Sequence, residues 1–491
     1  MWTRESLRQL VEEKLSDYLF IVVSNREPYI HTFSGREIQC QVPASGLTVA
    51  LDPVMQCCGG TWIAHGSGNA DVNVVDERNK VMVPPQAPRY SLRRVWLSKE
   101  DEDGYYYRFS NEALWPLCHI AYTAPLFDEQ SWNTYRKVNQ IFADNVLDEV
   151  GDRKAFVFVQ DYHLALLPRM IKNGNAHIKV AQFWHIPWPN REAFRICPWQ
   201  EEILDGLLGN DLLGFHIRYH CSNFLDTVDR AIEARVDQER YEVTRGARKT
   251  AVRSFPISVD FEAISREAQS EKVDAEINRL KGKLGISDEL IGLGLDRFDY
   301  TKGIPHRLRA IDRFLGKYPE WKGKMVFVQA GVPSRVHIPA YKRVNEEIES
   351  LVEEVNWKHA AWYWKPVILL DEHFSPLSLM ALRRMAHFSI VSALHDGMNL
   401  VAKEFVASRF DEDGVLILSP FAGASRELTD AVLVNPYATD HFAEAIKKAV
   451  EMPKEERQKR MRRMREVVKE NNIYKWAADI ISELVKFDFG G

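Results

Sequence analysis

Cysteine is scarce and unevenly placed in this chain of 491 residues. All six cysteines (Cys40, Cys57, Cys58, Cys118, Cys197, Cys221) lie in the first half, without paired Cys-x-x-Cys spacing. That argues against a disulfide framework or a zinc site, and for reduced thiols in the cytoplasm. Positive charge is not in excess either. With 64 Lys and Arg against 69 Asp and Glu the net charge is −5, so a general nucleic-acid binder is not expected and any phosphate contact must be local. No apolar run approaches the ~20 residues that span a bilayer, and charges through Glu13 and Lys14 leave no signal peptide. Internal repeats, low-complexity tracts and clusters of metal ligands are missing as well.

An alternation remains. Apolar strand-like runs recur at Leu19 to Ser24, Phe156 to Gln160, Val180 to Trp184, Leu212 to Phe215, Leu290 to Leu295, Met325 to Ala330, Val367 to Leu370, Phe388 to Ala393, Val415 to Ser419 and Ala431 to Val434, with helical stretches between them. Strand alternating with helix means parallel sheets covered on both faces. Ten runs exceed one ordinary sheet, and Phe255 to Asp260 reads as a hinge, so the expected architecture is α/β with two doubly wound domains facing across a cleft. Between Val81 and Phe109 short alternating runs suggest a hairpin insertion that includes Tyr105 to Phe109. The basic run Lys454 to Arg465, interspersed with Glu455 and Glu456, reads as a solvated helical face, and Tyr474 to Phe487 as a core-facing helix.

In open parallel sheets ligands bind beyond the carboxyl ends of strands. There the chain places Ser24-Asn25-Arg26, Gln160-Asp161-Tyr162-His163, His185-Ile186-Pro187, Asp296-Arg297 through Lys302-Gly303, and Ser334-Arg335. Arg297 and Lys302, five residues apart around a turn, can converge on one pyrophosphate, or else form surface ion pairs with Asp296 and Asp299. Asp161 can equally cap a helix, and a strand-end His185 can be structural. The stretch Leu394 to Glu404 reads as strand, turn and a helix opening at Gly397, flanked by Asp396 and Glu404. A helix start suits a phosphate, so a sugar nucleotide fits there; an ordinary cap with a solvated Glu fits too.

Taken in order, these segments, with Phe109 to Pro116, Asp211 to Phe215, and Ser419 to Ala424, resemble the trehalose-6-phosphate synthases of glycosyltransferase family 20, from about Leu19 to about Leu484. The resemblance implies a GT-B fold, with an acceptor domain over residues 1–257, a nucleotide-sugar domain over 258–472, and a last helix, about 473–491, packed back on the first. It implies retaining transfer of glucose from UDP-glucose or a similar donor to glucose 6-phosphate, giving α,α-trehalose 6-phosphate, the departing phosphate taking the acceptor's proton. His185, Arg297, Lys302 and Asp161 carry over as catalytic positions. Gly46, Arg297, Lys302, Asp396, Gly397, Met398, Asn399, Leu400, Val401 and Glu404 carry over to the donor, and Arg26, Trp62, Tyr106, Trp115, Asp161 and Arg335 to the acceptor, with Tyr105 and Tyr107 as neighbouring registers for Tyr106. No cofactor or metal is implied beyond the donor itself, nor a nucleic-acid or membrane partner; a homo-oligomer stays open. The chain has Ser45, His65 and His395 where family members typically carry Gly, Trp and Arg. Another phosphorylated acceptor, such as glycerol 3-phosphate or a cyclitol phosphate, and a non-catalytic sugar-phosphate sensor are the alternatives.

Overall fold

The apolar runs are too hydrophobic on both faces to leave either side in water, and helices cover them. The computed structural model describes residues 1–43, 46–361 and 364–486. They divide into two compact units, one of residues up to Ile257 together with those from Ile473 onward, the other Ser258–Asn472.

The first unit's sheet has ten strands in the order Arg235–Asp237, Glu242–Arg245, Arg248–Ser254, Leu212–Phe215, Lys179–Phe183, Ala155–Gln160, Leu19–Arg26, Thr61–His65, Tyr90–Val95, Lys80–Val83. The seven from Arg248–Ser254 to Tyr90–Val95 run parallel, with antiparallel strands only at the edges. The second unit's six strands are all parallel, in the order Val367–Leu370, Met325–Ala330, Leu290–Leu295, Phe388–Val391, Val415–Leu418, Val432–Leu433. In each sheet the order reverses once. The reversal falls between Leu19–Arg26 and Ala155–Gln160 in the first and between Leu290–Leu295 and Phe388–Val391 in the second. Connections leave such a pair in opposite directions and open a crevice beyond the strands' carboxyl ends, where ligands bind.

Two expectations are corrected. Tyr105 to Phe109 is not a strand: it lies in the wide helical stretch Asp103–Leu114, with Tyr105 and Phe109 wholly buried. Ser110 Oγ donates to the Tyr105 carbonyl and Asn111 Nδ2 to that of Tyr106, while Phe109 packs on Trp132 and Tyr135 of helix Glu129–Val150. Tertiary burial of the aromatics overrides their strand propensity. Tyr90–Val95 and Lys80–Val83 do pair as antiparallel neighbours, but Tyr90–Val95 also runs parallel to Thr61–His65 within the main sheet. Helix Leu400–Ser408 starts three residues later than Gly397, after Asn399 at φ 73°.

The basic helix Lys454–Glu470 has Arg457, Arg460 and Arg462 ion-paired to Asp413, Glu456 and Glu412. Helix Ile473–Val485 sets Trp476 against Phe158 and Phe183, with ring centroids 5.8 and 5.1 Å apart, and packs on helix Arg4–Leu15. The expected end of that helix beyond residue 486 lies outside the described residues, as does Ser45. All six cysteines are free, and among the described residues no helix is long and apolar enough to cross a membrane.

Candidate active site

Two neighbouring strand ends build the second unit's site. After Leu290–Leu295 the chain turns at Asp299, whose Oδ1 accepts from the Thr301 amide and hydroxyl, both at 2.9 Å, and caps the single turn Tyr300–Lys302. Gly303 follows at φ 64°, where a Cβ would lie 2.2 Å from the Ser392 carbonyl; only glycine lets the two strand ends meet so closely. Lys302 is thereby held with its Nζ 2.5 Å from Asp396 Oδ2, which also accepts from Asn399 Nδ2 at 3.2 Å. Arg297, partly exposed, and Arg335, buried at its side chain, each stand 3.9 Å from the buried Asp299 Oδ2. Burial alone would raise the Asp299 pKa, but Arg297, Lys302 and Arg335 outweigh it and hold the carboxyl below its ordinary range. The alternative of solvated surface ion pairs therefore fails: one enclosed carboxylate gathers three cations.

Asp396 to Met398 spend their backbone groups on a neighbouring loop instead of a helix. The Asp396 amide donates to the Phe421 carbonyl, Gly423 to Asp396, and Ala424 to Met398, at 3.0, 3.2 and 2.9 Å. Met398 is buried, so this segment offers a ligand backbone more than side chain, and Leu400 and Val401 supply the first amides of the helix. Glu404, in the second turn, is ion-paired with Arg383, while Lys403 beside it is buried on Glu427 at 2.6 Å. Glu404 is thus not a solvated side chain.

Sequence reasoning missed Arg307. Wholly buried, it donates to Asp296 Oδ2, Gln329 Oε1 and Ser392 Oγ at 2.7, 2.8 and 3.1 Å, tying three strand ends together. Its signal was available: an arginine on the apolar face of helix Ile304–Lys317, beside Ile304, Leu308 and Ile311.

In the first unit, Arg26 ends one strand flanking the reversal and Asp161 follows the other. Arg26 Nη2 donates to Tyr106 OH at 2.8 Å, and Tyr106 stacks on His163, so of the three adjacent tyrosines it is Tyr106 that meets Arg26. Trp115 packs on Tyr162, whose OH donates to Asn111 Oδ1. Asp161, at φ 72°, accepts through Oδ1 from the amides of Tyr162 and His185 at 2.9 and 3.1 Å. His185 bonds Gln160 Oε1 through Nε2 at 2.9 Å; burial, then the neighbouring His163, push its pKa down to about 3, so the ring is neutral. Asp161, Arg335 and Asn399, all named from sequence, hold positive φ without being glycine, the kind of strain that collects at ligand sites.

Trp62 is not brought to this group. It is fully buried, its Nε1 donating to Ser24 Oγ at 2.8 Å, in a strand whose two faces are both covered. His65, at the end of the same strand and paired with Arg26, is partly exposed. Next to Arg26, Glu27 is buried with Asp71 and Arg94; Arg94 Nε donates to Glu27 at 2.9 Å and Arg94 Nη2 lies 2.7 Å from Asp71 Oδ1. Two carboxylates share one guanidinium. Burial, then Asp71, push the Glu27 pKa up to about 8, so the cluster keeps a proton at neutral pH. Gly46 opens helix Gly46–Cys58.

The sequence profile of Glycosyltransferase family 20 matches residues 18–486. The chain belongs to glycosyltransferase family 20. A bifunctional trehalose-6-phosphate synthase/phosphatase of Thermoproteus tenax is 37% identical over 95% of this chain and 63% of its own length, so the chain spans less than two thirds of that relative. A solved E. coli protein bound with UDP-2-fluoro glucose superposes with a TM-score of 0.85 at 30% identity, covering 96% of this chain and 99% of its own. An α,α-trehalose-phosphate synthase (UDP-forming) from Burkholderia xenovorans, in complex with glucose-6-phosphate, gives 0.84 at 29%, covering 95% and 99%. The fold is therefore GT-B, with both family 20 units doubly wound. Among the described residues no group of His, Cys, Asp or Glu could hold a metal ion.

Proposed function

We propose that this family 20 protein is a retaining glucosyltransferase that moves glucose from UDP-glucose to glucose 6-phosphate, giving α,α-trehalose 6-phosphate. The observation that carries the reading is the pair of cations at the second unit's strand-order reversal, Lys302 held on Asp396 and Arg297 held near Asp299, at two neighbouring strand ends. As the bond from the anomeric carbon to the β-phosphate oxygen breaks, negative charge grows on the departing diphosphate, and Arg297 and Lys302 are placed to stabilise it. The anomeric hydroxyl of the acceptor attacks from the same face, and its proton passes to the departing phosphate oxygen. Asp161 suits the role of a fixed positioner better than a nucleophile, because its Oδ1 is already held by two backbone amides. A neutral His185 can orient a sugar hydroxyl but does not supply a proton.

Asp396 with the backbone of Gly397, Met398, Asn399, Leu400 and Val401 receives the glucose and phosphates, Glu404 the ribose, and Gly46 the pyrophosphate. Arg26, Tyr106, Trp115 and Arg335 receive the sugar phosphate. Unpaired cysteines support a reducing compartment, the cytoplasm. The test is a release assay that offers UDP-, GDP- and ADP-glucose against a panel of phosphorylated acceptors and identifies the product. Trehalose 6-phosphate from glucose 6-phosphate is expected; a different product reassigns the acceptor, and sugar-phosphate binding without turnover from any donor overturns the enzyme reading in favour of a sensor.

A further inference from the structure

At the other end of the second unit's sheet lies a cavity of about 420 Å³. His387, in its wall, immediately precedes strand Phe388–Val391, whose far end leads to Asp396, so the cavity and the donor residues sit at opposite ends of the same strands. Its lining is crowded with charge. Arg384, Arg409 and Arg457 are ion-paired to Asp274, Asp411 and Asp413 at 3.2, 2.9 and 2.6 Å, which uses every carboxylate in the lining. Lys281 is left over, and among the described residues no carboxylate pairs with it.

His387 adds a donor. Its Nδ1 accepts from the Ile291 amide at 2.8 Å, so the neutral ring carries its proton on Nε2. Burial, then Arg409 and Lys281, push its pKa down to about 4 against the opposing charge of Asp413, so the ring is neutral. A wall of this size with an unneutralised ammonium, a ring N–H and guanidinium edges, and no spare carboxylate, is complementary to a small anion with several acceptor oxygens.

We propose that this cavity is a second ligand site, distinct from the donor site, that binds a phosphate group, either free or carried by a small metabolite, through Lys281, His387 and Arg384. An occupant has a physical route to the donor side. Arg409 Nη1 donates to the carbonyls of Arg384 and Ala386 at 2.7 and 2.6 Å, and the residue before Arg384 is Arg383, the partner of Glu404. On the glucosyl-transfer reading, on which this consequence rests, filling the cavity changes the KM for the nucleotide sugar.

Calorimetric titration of inorganic phosphate and, separately, fructose 6-phosphate into the full chain tests the site without any need for turnover. The expected result is a binding event that survives Arg26→Ala and weakens roughly ten-fold or more in Lys281→Ala, as for loss of a charged hydrogen bond. The tighter of the two titrants identifies the source of the phosphate. Absence of binding in the unaltered protein, equal binding in Lys281→Ala, or loss of all binding in Arg26→Ala overturns the proposal. A phosphate-dependent KM for UDP-glucose that disappears in Lys281→Ala supports the coupling; a KM indifferent to phosphate overturns the coupling alone.

Discussion

Gly423→Ala tests whether the backbone around Asp396 is built to a tolerance. A Cβ on Gly423 would stand 2.0 Å from the Gly397 carbonyl oxygen and 3.2 Å from Met398 Cα, all backbone that no rotamer change can move. Relief to an ordinary contact needs a shift of about 1 Å, since a well-packed interior leaves no slack. That shift breaks the bonds from Gly423 to Asp396 and from Ala424 to Met398, 3.2 and 2.9 Å long. Two strained or lost backbone hydrogen bonds at about 1 kcal/mol each, with residual crowding of similar size, give a loss of roughly 3 kcal/mol in stability. The same displacement carries Asp396 and the Met398 backbone off the donor, and a 1 Å misplacement costs on the order of 10²-fold in kcat. Urea unfolding and steady-state kinetics with each substrate varied give the two readouts, with the KM for the sugar phosphate expected unchanged. Gly316→Ala is the control: its Cβ meets nothing within 4 Å in helix Ile304–Lys317, and it should stabilise by about 0.5–1 kcal/mol. Unaltered stability and donor kinetics in Gly423→Ala would refute the reasoning.

Lys302→Ala removes a leaving-group cation and should lower kcat about 10²-fold, or ~3 kcal/mol, in the glucosyl-transfer assay; turnover near that of the unaltered protein sinks the assignment. Tyr106→Phe loses the bond to Arg26 and should raise the KM for the sugar phosphate roughly ten-fold. Tyr105→Phe, at a wholly buried position, should leave that KM alone, and the reverse pattern would shift the register by one. Glu27 binds its proton more tightly folded, with a pKa of about 8 against about 4.3 unfolded, so its contribution is full at low pH and is lost as pH rises through that window. Glu27→Gln should therefore flatten the decline in stability between roughly pH 5 and 8, read by thermal melts across pH; an unchanged slope refutes the shared proton.

The strands that are short apolar runs covered on both faces were legible, and Leu212–Phe215, Leu290–Leu295, Met325–Ala330 and Val367–Leu370 have the expected bounds, but Thr61–His65 and the polar strands Arg235–Asp237, Glu242–Arg245 and Arg248–Ser254 were not expected. Strand order was not, since period-two patterning carries no information about which neighbour a strand takes. Yet that order puts Arg26 near Asp161 and Lys302 near Asp396. Tyr105 to Phe109 misled because propensity is local and its burial against Trp132 and Tyr135 is not. Trp62 was misjudged because its strand is buried on both faces and its indole N–H is taken up by Ser24. Glu404 looked free in sequence because its partner Arg383 comes from another helix.

Helix Ile473–Val485 belongs to the unit that the chain began with, beside helix Arg4–Leu15. During synthesis the ribosome must therefore release the whole of Ser258–Asn472 before the first unit receives the side chain of Trp476 that covers Phe158 and Phe183. Until then part of its sheet is wet. The second unit, continuous in the chain, is free to fold while still tethered, so the order of completion in the cell is the reverse of the order of translation.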